Sequence, residues 1–282
     1  MNILSLFDGI SCGRIAAERA GIKVDNYFAS EIDKYAIKVS RANYPEIQLI
    51  GNVLNVDSTK LPAIDLLLAG SPCQGFSFAG KQLAFDDPRS KLFFEFIRIL
   101  KECNPQYFIL ENVKMKKEFL DIITEHVGIE PILINSGLVS AQNRERYYWT
   151  NIPNVGLPYN PEAEKLLLLD ILDVDVRQIY WANEELRENY NGGKYLNPKY
   201  KSQGNRVHDI EAKSPTICAG SHGYSNGYVD TGVVRRLTPV ECERLQTLPD
   251  NYTDKGVSDT QRYKALGNGW TVDVVAHILR QI

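Results

Sequence analysis

Residues 64–75 read IDLLLAGSPCQG. A short apolar run, Leu66 to Ala69, stops at a glycine and gives way to Ser71-Pro72-Cys73-Gln74. A run of this length bounded by turn residues reads as a strand buried on both faces. The stretches NILSLF (2–7), VDNYFAS (24–30), QYFILEN (106–112) and IEPILINSG (129–137) have the same character. Between them lie CGRIAAERAG (12–21), DKYAIKVSRANY (33–44), SKLFFEFIRILKEC (90–103) and KKEFLDIITEHV (116–127), all with helical spacing. Buried strands alternating with helices predict an α/β fold, its sheet mostly parallel and covered by helices on both faces. Ligands of such sheets bind outside the carboxyl ends of the strands. Asp8-Gly9, Glu31, Ser71-Pro72-Cys73 and Glu111-Asn112 each fall just past a strand, so four separate segments bring polar groups to one rim.

After residue 155 this rhythm fails. Residues 155–235 are richer in Asn, Gly, Tyr and Pro, with few apolar runs, which predicts a smaller and more irregular domain. Helical signals return in TPVECERLQTL (238–248), where Thr238 caps and Pro239 suits the first turn, and in TVDVVAHILRQI (271–282). The expected division is a catalytic and cofactor-binding domain, 1–154 completed by 264–282, and a small domain, 155–263. With 282 residues, 44% hydrophobic and 24% charged, the chain is long enough to bury a core without disulfide staples. Its five scattered cysteines form no C-x-x-C pair, so neither a metal site nor a disulfide framework is indicated. No apolar stretch is long enough to span a bilayer, and MNILSLFDGIS lacks the basic start of a secretory signal. The expectation is a cytoplasmic protein, nucleoid-associated if prokaryotic.

Three groups of residues carry candidate chemistry. Cys73 stands at a strand-end rim behind a stiffening Pro72; a lone cysteine is more often a buried thiol, but a thiolate here is a strong nucleophile. Glu111 ends the buried run FILEN, and a carboxylate there calls either for an ion-pair partner or for a raised pKa that lets it give or share a proton. In QNRER (142–146) the spacing puts Gln142, Arg144 and Arg146 on one face of an extended segment, either as an exposed basic edge or as arginines aimed into the rim.

The segments LFDGISCG, SEID, SPCQGFS, ENV, QNRER, RRLTPVECERLQTLP and ALGNG occur in that order. In that combination the chain closely resembles the DNA (cytosine-5)-methyltransferases, most of all the de novo class and compact phage or bacterial enzymes. The resemblance implies a Rossmann-like S-adenosylmethionine-dependent methyltransferase fold with a small target-recognition domain, and S-adenosylmethionine as cofactor. It implies that Cys73 adds to C6 of a cytosine extruded from the helix, that Glu111 protonates or hydrogen-bonds N3, that Arg146 contacts the base carbonyl and that Arg144 supports it. Pro72 helps position the base and Gln74 begins a loop closing over DNA. Phe7, Gly9, Glu31, Ile32, Asn52, Pro72, Leu92 and Asn268 match cofactor-contact positions. Four positions depart from the family pattern. Ser11 replaces a glycine, Asn52 replaces an acid that reads the adenine amine, and Gly269-Trp270 replaces Ser-Val.

The net charge of −3 does not mark a polycation, but Lys194, Lys199, Lys201, Arg206 and Lys213 form a basic stretch after an acidic one. With Gln74 and Gln142, these groups from Lys194 to Arg206 are the expected contacts to double-stranded DNA. KSPTI (213–217) resembles a threonine-containing element of target recognition. A cognate restriction endonuclease is a further partner the resemblance allows. A tRNA methyltransferase of the same family is disfavoured because no Cys-Phe-Thr element is found, and a silent DNA-binding relative because Cys73 and Glu111 are both present. No G-x-G-x-x-G follows the first strand, which argues against a dinucleotide oxidoreductase.

Overall fold

The apolar run Asn2–Leu6 forms β1, paired on both sides. It lies between β2 (Asn26–Ser30) and β4 (Leu66–Gly70) in a parallel ladder, with Leu6 opposite Ser30 on one side and Ala69 on the other. β3 (Gln48–Leu49) continues the sheet beyond β2, and β5 (Tyr107–Val113) beyond β4. At the far edge lies β6 (Ile132–Asn135), with β7 (Glu145–Thr150) inserted antiparallel between it and β5. The order is β3-β2-β1-β4-β5-β7-β6, a mostly parallel sheet as the sequence predicted. This computed structural model describes residues 1–71, 92–173, 202–231 and 234–282.

The crossovers are α1 (Cys12–Arg19), α2 (Lys34–Asn43), α3 (Leu92–Cys103) and α4 (Lys117–Val127). Asp33 starts α2 by accepting from Tyr35 and Ala36 N–H, and Gly128 ends α4 in a left-handed conformation, φ 78°. The chain steps outward from β1 in opposite directions, so right-handed crossovers put α1 and α2 on one face and α3 and α4 on the other. On the second face Leu4, Leu6, Leu67, Ala69, Phe108 and Leu110 pack with Phe93, Phe96 and Ile97 of α3 and Phe119 and Ile123 of α4. The alternate residues Ile3, Leu66, Leu68 and Ile109 are wholly buried as well. Burial of both faces is why these strands read as unbroken apolar runs.

By its internal contacts the chain forms two units. One holds Met1–Asn135, Glu145–Leu157 and Val274–Ile282, and with them the whole seven-stranded sheet; the other holds Ser136–Arg144 and Pro158–Asp273. The second unit contains α5 (Pro161–Lys165), α6 (Leu168–Ile171) and a small sheet of β8 (Val207–His208), β9 (Tyr228–Asp230) and β10 (Val234–Arg235). It continues through α7 (Pro239–Leu245) and α8 (Asp259–Asn268). The last helix, α9 (Val272–Leu279), starts at its end. Segment 136–144 belongs there because Ser214 N–H bonds Ala141 O at 2.7 Å and Asn143 N–H bonds Ser214 O at 2.8 Å. Two buried carboxylates anchor α7. Glu241 accepts from Arg235 at 2.7 Å, and Glu243 from Arg262 at 3.1 Å and from the N–H groups of Asn251 and Thr253. Among the described residues no helix is long and apolar enough to cross a membrane.

Thr238 caps α7 as the sequence predicted, and with Glu241 it forms a capping box, each side chain bonding the other's backbone N–H. Thr238→Ala leaves the Glu241 N–H without its acceptor and is expected to lower stability by about 1 kcal/mol in urea denaturation. An unchanged midpoint would show the cap to be dispensable.

Candidate active site

β1 runs into a turn of uncommon backbone shape. Phe7, Gly9 and Ser11 all adopt left-handed φ, at 57°, 60° and 62°. For the two non-glycine residues this costs on the order of 1–2 kcal/mol each. A Cβ on Gly9 would meet nothing within 4 Å, so it is φ that favours glycine there, and the backbone faces open space. Asp8 N–H bonds Ser30 O at 3.1 Å, and Gly9 N–H bonds Glu31 Oε2 at 2.8 Å. The other oxygen of Glu31 takes the N–H groups of Ile32 and Asp33 at 2.7 and 2.8 Å. A carboxylate has about four acceptor sites, so three such bonds orient Glu31 and leave one site open. Residues 50–52 are drawn to the same strand end by Ile50 N–H on Ala29 O (2.9 Å) and Ser30 Oγ on Gly51 O (2.8 Å). Asn52 Oδ1 accepts from Leu54 N–H at 3.1 Å. Ile32 and Leu54 stay 72% and 56% exposed. An oriented carboxylate, open backbone at a glycine and aliphatic side chains left in water suit a nucleoside, whose ribose hydroxyls donate and whose base seeks apolar cover.

Beside this turn lies a polar cluster that the sequence reading did not single out. Asp8 accepts from Ser11 Oγ at 2.5 Å and from Tyr27 OH at 2.7 Å, and Ser11 Oγ lies 2.6 Å from Ser40 Oγ. Burial pushes the Asp8 carboxyl up to about 6 and the Tyr27 hydroxyl well above its ordinary value. The only hint in the sequence is an Asp-x-x-Ser spacing in FDGIS, which reads equally as a plain turn.

Two strands along, β4 and β5 bring the second group together. Gly70 is the ladder partner of Glu111, and Asn112 Nδ2 donates to Ser71 Oγ at 3.0 Å inside the protein. Arg146 on β7 lies diagonally across from Glu111, since Glu111 faces Tyr148 and Val113 faces Arg146. Its Nε donates to Glu111 Oε1 at 3.0 Å, with both side chains largely buried. Glu111 therefore has the ionic partner that a carboxylate at the end of a buried strand requires. Leu92, at the start of α3, is partly buried against the core. Pro72, Cys73 and Gln74, like Lys194, Lys199 and Lys201, lie outside the described residues.

The other arm of QNRER behaves differently. Gln142, expected to face DNA, is wholly buried; its amide donates to Leu245 O at 3.1 Å and accepts from Ile217 N–H at 2.8 Å. A side chain with no exposed surface reaches no phosphate, and its place is that of a clamp inside the second unit. Arg144, expected to support Arg146 in the rim, gives its guanidinium to the carbonyls of Ile217, Gly267 and Gly269 at 3.1, 3.2 and 3.0 Å. Lys213 likewise donates to Ser140 O and Leu166 O, both at 2.9 Å, and to Ala163 O at 3.4 Å. Burial lowers its pKa from the ordinary lysine range. Arg206 and Asn268 are exposed, and Trp270 is buried.

Comparison with known proteins decides the family. The family model for C-5 cytosine-specific DNA methylases matches residues 1–165 and 170–282. The chain belongs to that family. Among curated relatives, this methylase is 33% identical to the type II methyltransferase M1.ScrFI of Lactococcus lactis subsp. cremoris, over 99% of this chain and 77% of that protein. It is 30% identical to M.HhaI of Haemophilus parahaemolyticus, over 100% of this chain and 94% of that one. The methylase shares its fold with the solved Entamoeba histolytica methyltransferase EhMeth, at TM-score 0.77 and 19% identity, covering 100% of this chain and 97% of that one. Among the described residues no His, Cys, Asp and Glu group could hold a metal ion, and Cys12, Cys103, Cys218 and Cys242 are in no disulfide.

The Asp8 carboxyl makes a testable mark on stability. Its folded pKa, about 6, lies above the ordinary 3.8. Its contribution is therefore fully present below the lower value and is lost as pH rises through the upper one. The melting temperature of the wild type relative to Asp8→Asn is expected to fall between pH 4 and pH 7 in a thermal scan. A difference that stays constant with pH would mean that Asp8 titrates normally.

Proposed function

We propose that this methylase moves a methyl group from S-adenosylmethionine to C5 of a cytosine in double-stranded DNA, by way of a transient bond from Cys73 to C6 of a base turned out of the helix. The observation that carries the reading is the Glu111–Arg146 pair, which joins β5 to β7; β5 lies beside β4, the strand that Pro72-Cys73 follow in the sequence. Inside a duplex, C6 is stacked between neighbouring bases, so the target nucleotide must leave the stack. The Cys73 thiolate supplies the electron pair for the new S–C6 bond. Glu111 supports that addition once it has taken up a proton, which it then gives or shares at N3, turning a poor electrophile into an acceptor. Arg146 holds the Glu111 carboxyl in place and offers its remaining N–H groups to the base carbonyl. When bound, S-adenosylmethionine supplies the methyl group as an electrophile to the C5 that thiolate addition has made electron-rich. Solvent takes the C5 proton, the electrons of that C–H bond reform the C5–C6 double bond and expel the Cys73 thiolate, and the N3 proton returns to Glu111.

The strand-end site at Gly9, Glu31, Ile32 and Asn52 has the groups this cofactor needs. Glu31 has an acceptor site for a ribose hydroxyl, Ile32 offers apolar cover for adenine, and Asn52 Oδ1 can accept from the amine although without charge. Phe7, Leu92, Pro72 and Asn268 complete the proposed contacts. Arg144 and Gln142 act at a distance by bracing their own unit. Residues 155–263, with the basic side chains Lys194, Lys199, Lys201 and Arg206, form the proposed target-recognition domain, and Gln74 opens the loop that closes over DNA. Relatives named type II methyltransferases support a cognate endonuclease as a proposed partner. The proposed place of the reaction is the cytoplasm, beside the nucleoid if the source is prokaryotic.

Purified protein given tritiated cofactor is expected to label duplex DNA and to leave tRNA unlabelled. Label in tRNA alone would overturn the substrate assignment. A stable adduct on 5-fluorocytosine DNA is expected for the wild type and none for Cys73→Ser; an adduct surviving that change would remove the nucleophile assignment. Arg146→Ala is expected to slow methylation by at least about a hundred-fold, the scale of losing one oriented donor in an active site.

A further inference from the structure

Ser11 holds a left-handed conformation of φ 62°, a shape that glycine takes without strain and serine does not. Its position is the N-cap of α1, yet its side chain makes no capping bond. A serine cap is worth about 1 kcal/mol, and Ser11 forgoes it to give its hydroxyl proton to Asp8 at 2.5 Å. Ser40 of α2 completes the hydroxyl's bonding at 2.6 Å. Asp8 also accepts a hydrogen bond from Tyr27 OH, at 2.7 Å, on the strand that ends at Ser30 just before Glu31. One carboxyl therefore ties the turn both to the start of α1 and to β2. Within the same turn Gly9 N–H holds Glu31 Oε2 at 2.8 Å.

We propose that Asp8 is a positioning residue for the cofactor: it holds the Phe7–Ser11 turn in the left-handed shape from which Gly9 orients Glu31. The proposal rests on the cofactor reading above and extends it to a residue behind the site. It also accounts for the serine. A glycine takes this φ without strain, whereas a serine needs something to hold it there, and Asp8 with Ser40 supplies that hold. A buried carboxylate is a poor choice for packing alone, because its charged form is disfavoured there. Two hydroxyls each need an acceptor at this point, and a carboxylate offers two oxygens where an asparagine offers one.

The test is a double-mutant cycle read by calorimetric binding of S-adenosylhomocysteine to the full chain. Asp8→Asn is expected to weaken binding about ten-fold, the scale of one charge-assisted hydrogen bond. Ser11→Gly removes the need for the hold, so in that background Asp8→Asn is expected to cost less than about three-fold. Affinity for duplex DNA without cofactor is expected to stay within about two-fold, which general loosening of the fold would not allow. Equal losses in both backgrounds, or no loss in either, would overturn the proposal. If Asp8→Asn fails to fold, Tyr27→Phe takes its place in the same cycle, with the same expectation. A wild type that binds no S-adenosylhomocysteine brings down the cofactor reading, and this inference with it; a wild type that binds and an uncoupled cycle bring down this inference alone.

Discussion

The register of four parallel strands fixes everything at the rim. Leu6 lies level with Ser30 and Ala69, and Gly70 with Glu111, so β2, β1, β4 and β5 release their chains at nearly the same height. A slip of one residue in any pair would turn its side chains to the opposite face of the sheet. Glu111 would then point away from Arg146, and Glu31 away from Gly9. Burial on both faces is what forbids the slip: Leu4, Leu6, Leu67 and Ala69 share one core while Ile3, Leu66 and Leu68 fill the other.

The two halves of that rim are built by different means. At β5 a long-range ion pair between largely buried groups does the orienting, across an antiparallel step. At β1 the orienting groups are backbone amides, gathered by a turn whose left-handed residues would not adopt that shape unaided. Strain of this kind persists only where surrounding bonds over-determine it, and here the bonds come from Asp8, Ser30 and Ser40. Stability near neutral pH is lower for it, and the gain is a Glu31 carboxylate whose direction is fixed by three backbone amides.

Much of this was legible in the chain itself. Strand ends, helix stops such as Gly128 and the Thr238 cap are local signals, because each depends on residues within one turn. The placing of β7 between β5 and β6 was not legible, since nothing in ERYYWT distinguishes an inserted strand from an edge one; that choice is made by partners far along the sequence. Alternation put Gln142, Arg144 and Arg146 on one face and left open what that face meets; Arg146 meets Glu111, whereas Gln142 and Arg144 meet Leu245, Ile217 and Gly267, about 70 residues or more away. Charge counting placed Lys213 in a basic patch, and composition cannot tell an ammonium in water from one bonded to carbonyls.

That lysine has a practical consequence for anyone building chimaeras. Lys213 gathers the carbonyls of Ser140, Ala163 and Leu166, while its neighbour Ser214 exchanges backbone bonds with Ala141 and Asn143. A graft that carries a relative's specificity segment therefore tolerates a splice upstream of 213 far better than one through KSPTI. A hybrid that loses Lys213 leaves three carbonyls from two other stretches of chain without their ammonium, whereas the Ser214 bonds are backbone ones that any residue except proline can supply.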